Sequence, residues 1–240
     1  NAPGLGLALD AADFIVSEHP DSTVRFGRGW TDDMFMASAL LSRVGAFTEE
    51  PKFADAVGRM LTTYAARLQR EDGLFIHAVE GAHAWGRGNG FAALGLTEAL
   101  TYMEAALAER DQILDSYQRL MEALLPLQTD DGAWRNVLDQ PTAYPELTVT
   151  AIMLTAMARG VRLGWLDGER YTPVIERAWQ AVLARVGADG TLRDVCTSTG
   201  AQATLEYYMT RPVVNGADDR GGAIVLMAAL EMDMLGRPEH

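Results

Sequence analysis

Seven consecutive residues, Trp85-Gly86-Arg87-Gly88-Asn89-Gly90-Phe91, hold more chemistry than a helix start requires. Arg87 offers a planar fork that matches a carboxylate. Trp85 and Phe91 offer flat apolar faces, the glycines let backbone approach a bound group closely, and Asn89 can cap the apolar helix that follows. Stacking combined with carboxylate recognition is what an acidic sugar needs. The same residues also fit a glycine-rich loop with a buried Trp and a surface Arg.

The elements that would position them repeat along the chain. Leu68-Gln69-Arg70-Glu71-Asp72-Gly73-Leu74-Phe75 recurs as Leu127-Gln128-Thr129-Asp130-Asp131-Gly132-Ala133-Trp134, and more weakly around Asp189-Gly190. The three glycines lie 59 and 58 residues apart. In each copy a helical pattern ends, Asp-Gly turns the chain, and a short apolar extended piece follows. Between the copies, apolar runs begin near Asp32, Asn89, Glu146 and Arg220, rich in Ala, Met, Leu and Gly on nearly all faces. Such runs predict helices buried on both sides. The alternating set, near 51–68, 111–127 and 171–186, mixes Lys, Arg, Glu and Gln with its apolar positions and predicts an outer layer. A repeat of this length with paired helices reads as a solenoid or toroid of helical hairpins. Converging inner helices would then gather Asp32, Asp33, Asn89, Glu146 and Asp218, Asp219 and Arg220 at one rim. The alternative for each is an ordinary cap or first-turn residue.

Composition narrows the function classes. At 240 residues and 26.1 kDa, with 48% hydrophobic residues, the chain can bury a sizeable core. A net charge of -13 argues against nucleic acid or an anionic membrane as partner, although local arginines can still receive a small anionic substrate. One cysteine, Cys196, excludes an internal disulfide framework. Four histidines without paired-ligand spacing argue against a metal site, and no cofactor is expected. No run approaches membrane-spanning length, and a cytoplasmic location is the working expectation. Asn1 to Gly4 carry neither an initiator Met nor a signal peptide, so an upstream segment is expected.

Several of these residues together resemble glycoside hydrolase family 105, the unsaturated rhamnogalacturonyl hydrolases, which are akin to the unsaturated glucuronyl hydrolases of family 88. The resemblance is carried by Trp30-Thr31-Asp32-Asp33-Met34-Phe35-Met36, by His77, and by the stretch from Trp85 to Phe91. Tyr144-Pro145-Glu146-Leu147-Thr148, Gly164-Trp165-Leu166, Cys196 to Gly200, Tyr207-Tyr208 and Arg211-Pro212 extend it. It implies an all-α fold, an (α/α)6 toroid of six hairpins. Residues 1–240 hold about four such units, so one partial toroid domain is expected, lacking about two N-terminal hairpins. It also implies a second functional Asp one repeat before Asp32, which falls outside the chain; a longer protein or an oligomer would close the ring.

The resemblance assigns Asp32 as general acid and base. It implies a substrate with a 4,5-unsaturated uronic acid at its nonreducing end, left by a polysaccharide lyase, as in pectin breakdown. Arg87 would take the uronate carboxylate, Trp85 would stack on the sugar, and Phe91 would extend the apolar wall. His77 would bond a sugar hydroxyl or the carboxylate, with Trp30, Asn89 and Arg211 completing the substrate contacts. Arg220 could join Arg211 in holding more of an acidic substrate at the far side of the mouth; the alternatives are ion pairs with Asp218 or Asp219 for these arginines and a satisfied structural role for His77. Glu80 is a weaker candidate second carboxylate. Two other readings are a carbohydrate-binding or inactive toroid fragment, and a sugar epimerase or lyase on the same fold.

Overall fold

The computed structural model describes residues 4–17, 24–25, 27–103 and 106–237; residues 1–3, before the first helix, lie outside it. Among the described residues, nine α-helices and four short strands follow in order: α1 (Leu5–Val16), α2 (Thr31–Thr48), α3 (Pro51–Leu68), α4 (Gly86–Met103), α5 (Arg110–Leu124), β1 (Trp134–Arg135), β2 (Pro145–Glu146), α6 (Leu147–Arg162), α7 (Gly168–Leu183), β3 (Leu192–Cys196), α8 (Leu205–Met209), β4 (Val213–Gly216) and α9 (Asp219–Leu235). The strands form two separate antiparallel pairs, β1 with β2 and β3 with β4. This is the α/α toroid architecture, with the strands confined to connections. The β3–β4 hairpin is longer than the brief extended pieces the repeat predicts.

The inner and outer layers follow from residue pattern. On α3 the buried apolar residues Phe53, Val57, Met60, Leu61, Tyr64 and Leu68 fall on one stripe, and polar residues fill the rest, as an outer helix demands. On α6 every residue from Leu147 to Ala158 is buried, as an all-round apolar inner helix demands. Inner helices pack in chain order, α2 on α4, α4 on α6 and α6 on α9. The expectation of burial on both sides fails for α9, where only Gly221, Ala228 and Glu231 are buried and Leu226, Leu230 and Met234 are exposed. The reason is that α9 has its main inner-helix packing against α6, whereas α4 lies between α2 and α6.

The repeated Asp-Gly turns have one geometry. Gly73, Gly132 and Gly190 all have positive φ, +91°, +86° and +82°. Gln69 and Gln128 act in parallel: each Nε2 donates to the carbonyl of its own turn glycine and to one on the next outer helix, Ser116 O on α5 and Val174 O on α7. A Cβ on Gly73 or Gly132 would run into the carbonyl oxygen of Arg119 or Arg177 on those helices, whereas one on Gly190 would meet nothing within 4 Å. Gly190→Ala is therefore expected to cost only the left-handed backbone penalty, about 1–2 kcal/mol. Gly132→Ala should cost about 3 kcal/mol or more, since backbone must also shift. Equal losses in denaturant unfolding would show that nesting against the next outer helix contributes nothing.

At their C-terminal ends the four inner helices are tied by charge. Glu98 on α4 pairs with Arg43 on α2 and, at 3.0 Å, with Arg159 on α6. Arg159 and Arg162 both reach Glu231 on α9, at 2.9 and 2.5 Å. Glu98 and Glu231 are buried, so the cost of desolvating them is met by several charge-assisted hydrogen bonds. The helices thus run parallel, with this network at one end and their N-termini gathered at the other.

Candidate active site

Of the polar residues predicted at the N-terminal rim, most are consumed by the fold. Glu146 caps α6: it accepts from Val149 N and Thr148 Oγ1, and also from Cys196 N at 2.8 Å. Asp218 caps α9 through Gly221 N and pairs with Arg220 at 2.9 Å. Burial opposes its ionisation, but the bonds from Arg220 and Gly221 outweigh this and hold the carboxyl below its ordinary value. Asn89 does not cap α4, which starts three residues earlier at Gly86. Its carboxamide instead clamps the first Asp-Gly hairpin, accepting from Phe75 N and donating to Phe75 O and Trp85 O. Fully buried, it has no face for a substrate. The flanking glycines likewise serve close helix packing: a Cβ on Gly88 would press on Thr31, and one on Gly90 on Ile152.

Asp33 is consumed too. Its Oδ2 accepts from Arg28 N, Gly29 N and Trp30 N, at 2.8, 2.9 and 3.1 Å, and from Tyr64 Oη at 2.7 Å. Burial, reinforced by the Asp33 charge, pushes the Tyr64 phenol well up, so it stays a donor. Asp33 therefore holds the loop that delivers Trp30 and fixes the first turn of α2. Asp32 projects elsewhere. Its Oδ2 meets His77 Nε2 at 3.0 Å, and Oδ1 has no protein partner among the described residues. The Asp32 side chain is 27% exposed. Asp219, at the start of α9, is also exposed, but of the rim carboxylates it is Asp32 that keeps a free oxygen toward the space between α2, α4 and α9.

His77 lies buried against Asp32. It is 0% exposed, and its Nδ1 lies 3.0 Å from Tyr208 Oη. Rings pack around it, with Trp30 edge-on at 5.4 Å and Trp85 tilted at 4.6 Å. The piece after Gly73 carries His77 into the core, so that its two ring nitrogens face Asp32 and Tyr208. Thr31 N donates to His77 O, which locks this piece to the start of α2.

A cleft of about 490 Å³ opens above Asp32, lined from α2 by Asp32, Phe35 and Met36, by Trp85 just before α4, from α4 by Arg87, Phe91 and Leu94, and from α9 by Arg220, Ala223, Ile224 and Met227. Ser198 and Thr199 complete it. A slightly larger cleft of about 550 Å³ lies on the outer side between α5 and α7, away from the rim, and its Arg170 and Glu122 pair with each other. The outer cleft also gathers carboxylates, arginines and the rings of Trp165 and Tyr171, so composition alone does not separate the two; the central one is set apart by its place at the rim and by Asp32, which keeps a free oxygen.

Within that cleft the predicted roles are redistributed. Trp85 is 1% exposed, with Nε1 bonded to Asn136 Oδ1, so it supports the floor instead of offering a stacking face. The exposed aromatic surface comes from Phe91 and Phe35, which stack at 6.0 Å with planes 3° apart. Trp30 stands outside the cleft lining, bonded through Nε1 to Glu80 Oε1 at 2.7 Å, which accounts for Glu80. Arg87 lies buried against Trp85, donating to Cys196 O at 2.8 Å, Thr197 O at 2.6 Å and Thr148 Oγ1 at 3.4 Å. Three of its five N–H groups thus have acceptors, and no carboxylate lies within ion-pair distance among the described residues. Arg211 turns away from the cleft onto the Tyr207 ring at 4.6 Å and bonds Ser198 O. Arg220 takes the wall position instead, bonding Ser198 Oγ and Asp218. Phe35, Tyr208 and the apolar α9 residues Ala223, Ile224 and Met227 are not legible as site residues in the sequence; for Phe35 and Tyr208 the signal is only that they lie inside the quoted motifs.

Comparison with known proteins places this geometry. The Glycosyl Hydrolase Family 88 model matches residues 6–236. The unsaturated rhamnogalacturonyl hydrolase YesR of Bacillus subtilis is 26% identical over 234 residues, covering 87% of this chain and 64% of that protein. An unsaturated 3S-rhamnoglycuronyl hydrolase of Formosa agariphila is 28% identical over 179 residues, 67% of this chain and 48% of that one. A solved structure described as a possible family 105 member from Salmonella enterica superposes with a TM-score of 0.86 at 20% identity, covering 97% of this chain and 66% of its own. The chain thus spans between about half and two-thirds of these proteins' lengths. No described helix is long and apolar enough to cross a membrane.

Proposed function

Because this chain belongs to Glycosyl Hydrolase Family 88, we propose that its central cleft removes a 4,5-unsaturated uronic acid from the nonreducing end of lyase-generated oligosaccharides. The observation that carries this reading is the pairing, in one apolar cleft, of Asp32 bearing a free oxygen with Arg87 lacking an acidic partner. The relatives' names support it: YesR is an unsaturated rhamnogalacturonyl hydrolase and the Formosa protein an unsaturated 3S-rhamnoglycuronyl hydrolase. Residues 1–240 are read as one partial toroid unit.

The chemistry follows from the substrate. Its C4=C5 bond is a vinyl ether conjugated to a carboxylate. Asp32 gives a proton to C4, and positive charge develops at C5 and the ring oxygen. Asp32, now a carboxylate, takes a proton from water as the water oxygen bonds C5. The resulting hemiketal opens and releases the rest of the sugar chain, and the balance is one water consumed. One carboxyl thus serves twice, unlike the two-carboxylate scheme for ordinary glycosides. The stacked Phe35 and Phe91 cover the apolar ring face, while Arg87 and Arg220 offer positive charge to the uronate.

Arg87→Ala tests the recognition half. Loss of a charge-assisted contact is worth about 1.5–3 kcal/mol, so KM should rise roughly 10- to 100-fold with a smaller change in kcat. Steady-state kinetics on an unsaturated uronyl disaccharide, followed by alkene absorbance, measure it. An unchanged KM would move the carboxylate contact to Arg220.

A further inference from the structure

Tyr208 Oη accepts from the backbone N–H of Gln202 at 3.1 Å and lies 3.0 Å from His77 Nδ1. A phenol has one proton to give. Among the described residues the acceptor in reach is Nδ1, which must then be unprotonated. The remaining imidazole proton falls on Nε2, which faces Asp32 Oδ2 at 3.0 Å. We propose that Tyr208 is a positioning residue that fixes His77 as its Nε2–H tautomer, so that His77 donates to Asp32 Oδ2 and leaves Oδ1 as the oxygen that works in the cleft.

The surroundings are built for this. Tyr208 is buried on the short helix α8, and its backbone carbonyl accepts from Asn136 Nδ2 at 2.8 Å. Its ring is held by His83 at 5.2 Å and by Tyr207 at 5.5 Å. A Cβ on Gly81 would strike the Tyr208 hydroxyl, so that glycine leaves the space the hydroxyl occupies. Burial pushes the phenol up, which keeps it protonated as a donor at neutral pH. The Gln202 bond ties the relay to the segment 198–202, whose Ser198 and Thr199 line the cleft. The orientation of Asp32 is therefore set jointly by the hairpin after Gly73 and by the segment around α8. Neither His77 nor Tyr208 lines the cleft, so Tyr208 acts through His77 and not on the reacting atoms.

The proposal concerns the reading of Asp32 given above, but its first test does not need turnover. Nitrogen NMR of the wild-type chain with labelled histidine should show His77 unprotonated at Nδ1 and protonated at Nε2. Tyr208→Phe should give a mixture of tautomers, or imidazolium, at the same pH. In kinetics on the unsaturated disaccharide, Tyr208→Phe should lower kcat by roughly 10-fold, the scale of one hydrogen bond, with KM within about twofold. A wild-type His77 carrying its proton on Nδ1 overturns the proposal even if the variant fails to fold. So does a variant with unchanged tautomer and kcat. If the wild type shows the expected tautomer yet does not consume the disaccharide, the hydrolase reading fails and the positioning assignment stands.

Discussion

Asp32→Asn should abolish nearly all turnover of an unsaturated uronyl disaccharide while leaving its binding intact. Proton transfer by a positioned side chain is worth about 10²–10⁴-fold, and here the same group both protonates C4 and activates water, so the loss belongs at the upper end. Asparagine keeps the shape of the side chain and can still accept from His77, so the fold and the cleft should survive. Asp33→Asn provides the contrast. Asp33 gathers three backbone N–H groups and the Tyr64 hydroxyl through one oxygen, and a carboxamide oxygen can occupy that place. Its effect should fall on stability and be small on kcat. Equal losses of kcat at both positions would mean that Asp32 acts by holding the turn and not by transferring protons.

Glu231→Ala should lower stability by about 3 kcal/mol, the lower part of the range for breaking a buried ion pair, because Arg162 keeps some access to water. For a chain of this size that is a fall in Tm of roughly 6–12 °C. Glu231 is the tie between α9 and α6 at the end away from the cleft, holding Arg159 and Arg162 at once. Since α9 supplies Ala223, Ile224 and Met227 to the cleft wall, KM should rise as well. Arg237→Ala, which removes an exposed pair with Asp233, should cost under about 1 kcal/mol. Thermal melts of the two variants side by side measure this. Equal Tm values would show that the buried network does not anchor α9.

The layers and the rim were legible because they depend on local pattern. Asp-Gly fixes a positive-φ turn, a one-sided stripe fixes an outer helix, and an all-round apolar run fixes an inner one. Asp32 and Asp33 also part as neighbours on a helix must, Asp33 turning to the loop before α2 and Asp32 to the cleft. What could not be read were pairings across the chain. Glu98 with Arg159 and Arg159 with Glu231 lie 61 and 72 residues apart, and each alone reads as a polar residue on a helix. Burial of individual site residues was hidden for the same reason. Trp85, His77 and Asn89 sit in a chemically suggestive stretch, yet the hairpin that folds over α4 turns all three into the core, and the cleft face passes to Phe35 and Phe91. Arg211 and Arg220, both candidates in the sequence, differ only in that α9 carries the second to the wall.

The central claim is that this cleft adds water across the C4=C5 bond of an unsaturated uronide. Proton NMR of the wild-type chain acting on an unsaturated uronyl disaccharide in D2O tests it most directly. The alkene signal should disappear with one solvent deuterium at C4, while a free reducing sugar appears in equal amount. An alkene signal that persists while the disaccharide binds would contradict the claim.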